Sequence, residues 1–91
     1  MNRVSRLVTV HGQVQGVFFR DGCRREAEHY GVTGWIENAP DGTVRALFEG
    51  PSDAVETLLK WAHDGPTRAV VDRVDVTGTE DQGTSEFRVR G

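Results

Sequence analysis

The sequence predicts an α+β sandwich whose elements follow the order β-α-β-β-α-β, with a short extra strand at the C-terminal end. Three observations carry this expectation: strand-period alternation in several short stretches, apolar residues at helical spacing in two others, and glycine- or proline-rich breaks between them. The 91 residues are read as one domain, 1–91, large enough for a single core and with room for one site.

Val4 to Val10 alternates, with Val4, Val8 and Val10 on one face and Ser5, Leu7, Thr9 and His11 on the other, as a strand does. The stretch GQVQGVFFR, Gly12 to Arg20, ends that strand with two glycines. A helix is expected from Asp21 to Tyr30, where Cys23, Ala27 and Tyr30 recur at helical spacing, with Gly31 as its stop. Thr33 to Asn38 (TGWIEN) has strand composition. The turn residues Asn38-Ala39-Pro40-Asp41-Gly42 join it to Thr43 to Glu49 as a hairpin. Gly50-Pro51-Ser52-Asp53 then breaks the strand and offers Ser52 or Asp53 as a helix N-cap. Val55, Leu58, Leu59 and Ala62 give the second helix its buried stripe, and Gly65-Pro66 ends it. Ala69 to Thr77 sets Val70, Val74 and Val76 against Arg73 and Asp75. Glu86 to Arg90 puts Phe87 and Val89 together, after a polar loop from Gly78 to Ser85. With right-handed crossovers, this order gives an antiparallel sheet with both helices on one face, a ferredoxin-like sandwich.

The loop Gly12 to Arg20 has the makings of an anion cradle. Glycines let the backbone approach a ligand, and consecutive N–H groups ahead of a helix form a concave set of donors. Arg20 adds a planar, permanently charged fork matched to phosphate oxygens. A cation in the first turn of a helix opposes the dipole at a cost of ~0.3–1 kcal/mol, which a bound anion would reverse. The alternative for Arg20 is an ordinary surface pair with Asp21 or Glu37. In a split β-α-β unit the first two strands run parallel with a third between them, so Asn38 ends about 10 Å from the end of the first strand, at ~4.8 Å per spacing. Arg20 and Asn38 can then converge on one small ligand.

Composition narrows the partners. With 11 Lys+Arg against 14 Asp+Glu, the formal net charge of −3 disfavours nucleic acid or an anionic membrane held by bulk electrostatics. A small anionic substrate needs only local positive charge. Cys23 is the sole cysteine, so no internal disulfide or thiol pair forms, which fits a reducing compartment. The N-terminal residues lack the apolar run of a signal sequence, and nothing approaches the ~18 apolar residues of a membrane span. The expectation is a cytoplasmic monomer acting on a small molecule, with no nucleic acid or membrane partner.

GQVQGVFFR, then GWIEN at Gly34 to Asn38, DGTV at Asp41 to Val44 and Gly65-Pro66, taken as an ordered set, resemble the acylphosphatase family over nearly the whole chain. The resemblance implies a small hydrolase that cleaves the carboxyl-phosphate bond of acyl phosphates, with no metal and no organic cofactor. It implies that Arg20 binds the substrate phosphate and Asn38 positions water. The backbone N–H groups of Gln15, Gly16, Val17 and Phe18 correspond to the phosphate cradle. One departure stands out: where the family commonly carries threonine after the asparagine, this chain has Ala39, a difference that bears on rate more than on reaction type. The hydroxyl of Thr43 across the turn is the candidate substitute.

The remaining chemistry-bearing residues read as structural. His11, His29 and His63 lack ligand spacing. Cys23 lies on an apolar helix stripe, and Trp35 and Trp61 suit packing. Phe18 and Phe19 either line the mouth of the site or close the core beneath the loop. Two other functions share the fold. A carbamoyl-phosphate-binding module of the hydrogenase-maturation type is disfavoured by the want of a cysteine-rich extension. A single-stranded RNA reader is disfavoured by the acidic balance and by TVRALFE, which does not offer that module's signature of stacking aromatics.

Overall fold

Val8 and Val10 are buried while Leu7, on the opposite face, is 37% exposed, the pattern of a strand with one face on a core. The computed structural model describes residues 2–91. Its elements are β1 (Arg3–Gln13), α1 (Phe19–Tyr30), β2 (Thr33–Asn38), β3 (Val44–Pro51), α2 (Ser52–Asp64), β4 (Val70–Gly78) and β5 (Phe87–Arg90). The sheet order is β4-β1-β3-β2-β5. Val8, Val10, Ile36, Val44, Ala46, Phe48 and Phe87 from the sheet meet Cys23 and Ala27 of α1 and Val55, Leu58 and Ala62 of α2 in one core. The expected ferredoxin-like sandwich is thus the observed one, with a fifth strand at its edge.

That fifth strand runs parallel to β2, so the sheet is mixed. The connection explains the direction. β4 ends beside Arg6, and the loop after it crosses the sheet end that carries Ser5 and Glu49. It re-enters beside the start of β2, where Gly34 faces Phe87. A chain entering there can only run the way β2 runs.

Glu49 fixes this crossing. Its buried carboxylate accepts from Ser5 Oγ at 2.8 Å, Thr84 N at 3.0 Å, Thr84 Oγ1 at 2.6 Å and Gln82 N at 2.5 Å, with Arg3 at 3.3 Å. Burial, the largest single influence, pushes the Glu49 carboxyl up. The bonds from Thr84, Gln82 and Ser5 together outweigh it and hold the group below its ordinary value.

Several boundaries differ from the sequence expectation. β1 continues through Gly12 to Gln13, past a register shift between His11 and Gly12. Gly12 therefore belongs to the strand: a Cβ there would meet the Val70 carbonyl oxygen at 2.1 Å, so the residue serves the close approach of β4. α1 begins at Phe19, two residues before Asp21, because Phe19 is buried against Trp61 with ring centroids 5.3 Å apart. Ser52 is inside α2, whose N-cap is Pro51 with no side-chain cap. On β4, an edge strand with β1 as its one neighbour, Val70 and Val76 remain exposed while Val71 and Val74 pack against the core.

Candidate active site

Val44 of β3 faces Val10 of β1 on one side and Asn38 of β2 on the other. The ends of β1 and β2 are therefore two strand spacings apart, about 10 Å. Residues 14–18 bridge from β1 to α1 above this sheet end. Gly16 has φ 72° and open space, with nothing within 4 Å of where a Cβ would stand, so its glycine serves backbone conformation alone. Phe18 has φ 65° and is the N-cap of α1, and its carbonyl accepts from Gly22 N at 3.0 Å. The N–H groups of Gln15 to Phe18 donate to no backbone or side-chain acceptor among the described residues. They stand immediately before the first turn of α1, where helix N–H groups are also without intrahelical acceptors.

Arg20 lies in that first turn, partly buried. Its Nη1 donates to the main-chain oxygens of Gly91 at 2.5 Å and Arg90 at 3.3 Å. The suspected carboxylate partners are engaged elsewhere. Asp21 accepts from Arg25 and, at 3.2 Å, from Arg24, which hold its carboxyl below the ordinary value, and Glu37 pairs with Arg90 at 3.4 Å. Arg20 is thus tied to β5 and Gly91 through main-chain oxygens, and it pairs with no side-chain carboxylate among the described residues.

Arg20, Asn38, Gly16 and Phe18 line one cavity of about 780 Å³. Asn38 Oδ1 is buried and without a hydrogen-bond partner among the described residues. An unpaired buried acceptor costs ~1–3 kcal/mol, and the amide torsion of Asn is broad enough to turn that oxygen toward the cavity. A donor held in the cavity would satisfy it.

Of the four expected cradle residues, Gly16 and Phe18 line the cavity and Gln15 and Val17 do not. Val17 packs against the core. Gln15 Nε2 donates to the carbonyls of Ala39 at 2.8 Å and Thr43 at 3.0 Å, bracing the loop against the turn that carries Asn38. Sequence reading missed this side-chain role; the only available signal was a long amide donor placed opposite a tight turn. The expectation for Thr43 is corrected. Its Oγ1 donates to Asp41 Oδ1 at 2.7 Å, so its single proton closes the turn and is not offered to Asn38.

Phe18 and Phe19 take different places: Phe19 is in the core and Phe18, 69% exposed, lines the cavity. Cys23 is fully buried and burial pushes its thiol up, which makes it inert. The histidines lie apart, with His11 on Asp75 at 2.9 Å, His63 on the Leu59 carbonyl at 2.9 Å and His29 edge-on to Tyr30. Trp35 sits beneath Arg90, 4.4 Å from guanidinium to ring centre.

The family model for acylphosphatase matches residues 6–89. An acylphosphatase of Thermococcus kodakarensis is 48% identical over 91 residues, covering all of both chains. One from Nocardioides sp. is 53% identical over 83 residues, 91% of this chain and 84% of its own. Among solved structures, an acylphosphatase from Coxiella burnetii is 39% identical with a TM-score of 0.94, covering 98% of this chain and 94% of that one. With the family's model matched from β1 to β5 and relatives near half identity along the full chain, this protein belongs to the acylphosphatase family.

Proposed function

We propose that the chain hydrolyses the carboxyl-phosphate bond of acyl phosphates to a carboxylate and inorganic phosphate. The observation that carries this reading is the meeting of Arg20, Gly16, Phe18 and Asn38 on one cavity. The cradle amides of Gln15, Gly16, Val17 and Phe18 and the Arg20 fork bind the phosphoryl oxygens and stabilise charge as it shifts among them. Asn38 holds a water in line with the phosphorus.

The proton inventory fits these residues. The P–O bond to the acyl group breaks with its electron pair leaving on a carboxylate, whose parent acid has a pKa of ~4, so no general acid is required. Asn38 is neutral and orients water without deprotonating it. The water's proton passes to a phosphoryl oxygen of the substrate as the new P–O bond forms. No metal takes part in this route.

The same reading takes residues 1–91 as a single-domain cytoplasmic monomer that binds neither nucleic acid nor membranes. The net charge of −3 and the lone buried Cys23 support it. No helix among the described residues is long and apolar enough to cross a membrane. The test is phosphate release from acetyl phosphate in the presence of EDTA. Turnover by the wild type is expected, and its absence would overturn the assignment.

A further inference from the structure

Phe18 presents a cost without an evident return. A bulky residue at φ 65° carries roughly 1–2 kcal/mol of strain. Glycine or asparagine would adopt the same backbone more readily, so the cradle's geometry does not call for an aromatic ring here. The side chain makes no capping hydrogen bond to α1, and with 69% of its surface exposed it adds little to the core, which Phe19 fills. What remains is its place on the cavity wall.

A second exposed apolar residue stands on the same cavity. β5 alternates Phe87 and Val89 toward the helix side, and while Phe87 is buried, Val89 is 42% exposed and lines the cavity with Phe18. One wall comes from the loop before α1 and the other from β5, the two elements that Arg20 ties together through Arg90 and Gly91. The cavity, at about 780 Å³, lies in the ~300–1,000 Å³ range that holds whole organic ligands, well beyond the needs of a phosphoryl group. The charged lining residues outside the cradle are paired with one another, Arg24 with Asp21 and Arg88 with Glu86 at 3.1 Å, which leaves little net charge to attract an ionic acyl chain.

We infer that Phe18 and Val89 form an acyl-group clamp that makes the chain selective for acyl phosphates with an apolar, above all an aromatic, acyl moiety. The inference rests on the acyl-phosphate reading of the site. With the phosphate in the cradle, the acyl chain leaves the reacting centre along the part of the cavity wall where exposed apolar side chains stand, Phe18 and Val89. The ring of Phe18 and the methyls of Val89 contact that chain and lose water on binding it.

The experiment compares kcat/KM for benzoyl and acetyl phosphate in the wild type and in Phe18→Asn, Phe18→Tyr and Val89→Ser. Phe18→Asn keeps a residue at ease with positive φ while removing the ring. Dividing each variant's benzoyl-to-acetyl ratio by the wild-type ratio cancels the intrinsic difference between the leaving groups. Phe18→Asn and Val89→Ser are expected to lower that ratio about fivefold or more, on the scale of lost hydrophobic contacts in a specificity pocket, while Phe18→Tyr keeps it within about twofold. If both substrates fall together in Phe18→Asn and the ratio also holds in Val89→Ser, the clamp is overturned and the hydrolase stands. Wild type inactive on both substrates removes the clamp together with the proposed function. If Phe18→Asn does not fold, the ratio in Val89→Ser supports or overturns the clamp on its own.

Discussion

The Nη1 of Arg20 donates to the main-chain oxygen of Gly91 at 2.5 Å, so one guanidinium both faces the cavity and anchors the end of β5. Removing it takes away the cradle's cation and loosens one wall of the cavity. Arg20→Ala is expected to weaken acetyl phosphate binding and lower kcat/KM about a hundredfold or more. Arg20→Lys restores little, because a point charge cannot bridge phosphate and carbonyl as a planar fork does. Steady-state kinetics check both, and an unchanged KM in Arg20→Ala would remove the residue from phosphate binding.

In the proposed mechanism Asn38 holds the water. Asn38→Ala is expected to lower kcat about a hundredfold with KM within a few-fold of wild type, since misplacing the nucleophile harms the chemical step and spares ground-state binding. A rise in KM at constant kcat would reverse the roles of Asn38 and Arg20.

Gln15 braces the cradle against the turn through the Ala39 and Thr43 carbonyls. Gln15→Leu keeps the side-chain bulk and removes both donors. The expected result is a kcat about tenfold lower with a smaller change in KM, because the turn carries Asn38. Wild-type kinetics in this variant would reduce the brace to a packing contact.

Far from the site, Glu49 holds the crossing loop. Glu49→Ala leaves the Ser5, Gln82 and Thr84 donors unpaired in a buried place, at about 2–4 kcal/mol, and a fall in Tm of roughly 10 °C or more is expected. Because its folded-state pKa lies below the unfolded value of 4.5, the carboxylate's contribution is complete above about pH 4.5 and is lost as pH falls through the folded value. Thermal melts between about pH 7 and pH 2 check this: the wild type loses more Tm in the acid limb than Glu49→Ala does. Parallel curves would show that other carboxylates govern the acid limb.

The two glycines of the opening loop should separate by experiment. Gly12→Ala drives a Cβ into the Val70 carbonyl and is expected to lower Tm markedly, whereas Gly16→Ala meets no neighbour and is expected to act mainly on kcat/KM by disturbing the cradle. Melting curves beside kinetics would show the opposite order if Gly12 served the ligand.

The order of elements was legible because strand alternation and helical stripes are local: Val8 with Val10, and Val55 with Leu58 and Ala62, identify their buried faces by spacing alone. The same periodicity reaches further back than the expected helix start, since Phe19 sits at i−4 from Cys23 and extends α1 toward the loop. Arg20 and Asn38 were identifiable as candidates because topology alone brings the ends of β1 and β2 to one sheet edge. Which atoms they engage was not.

By itself, then, the sequence determined the sandwich and the nearness of Arg20 and Asn38 on one cavity, consequences of short-range pattern and strand order. Only the tertiary structure decided that Gly12 serves β4, that Thr43 is spent on Asp41, that Gln15 braces the turn and that Arg20 grips the end of β5. It alone separated Phe18 from Phe19, two identical side chains in succession, one of which the core takes and the other the cavity. The physical reason is range. Periodicity records which face of an element is buried, whereas a hydrogen bond between residues 24 or 71 positions apart depends on packing of the whole chain to within a fraction of an ångström.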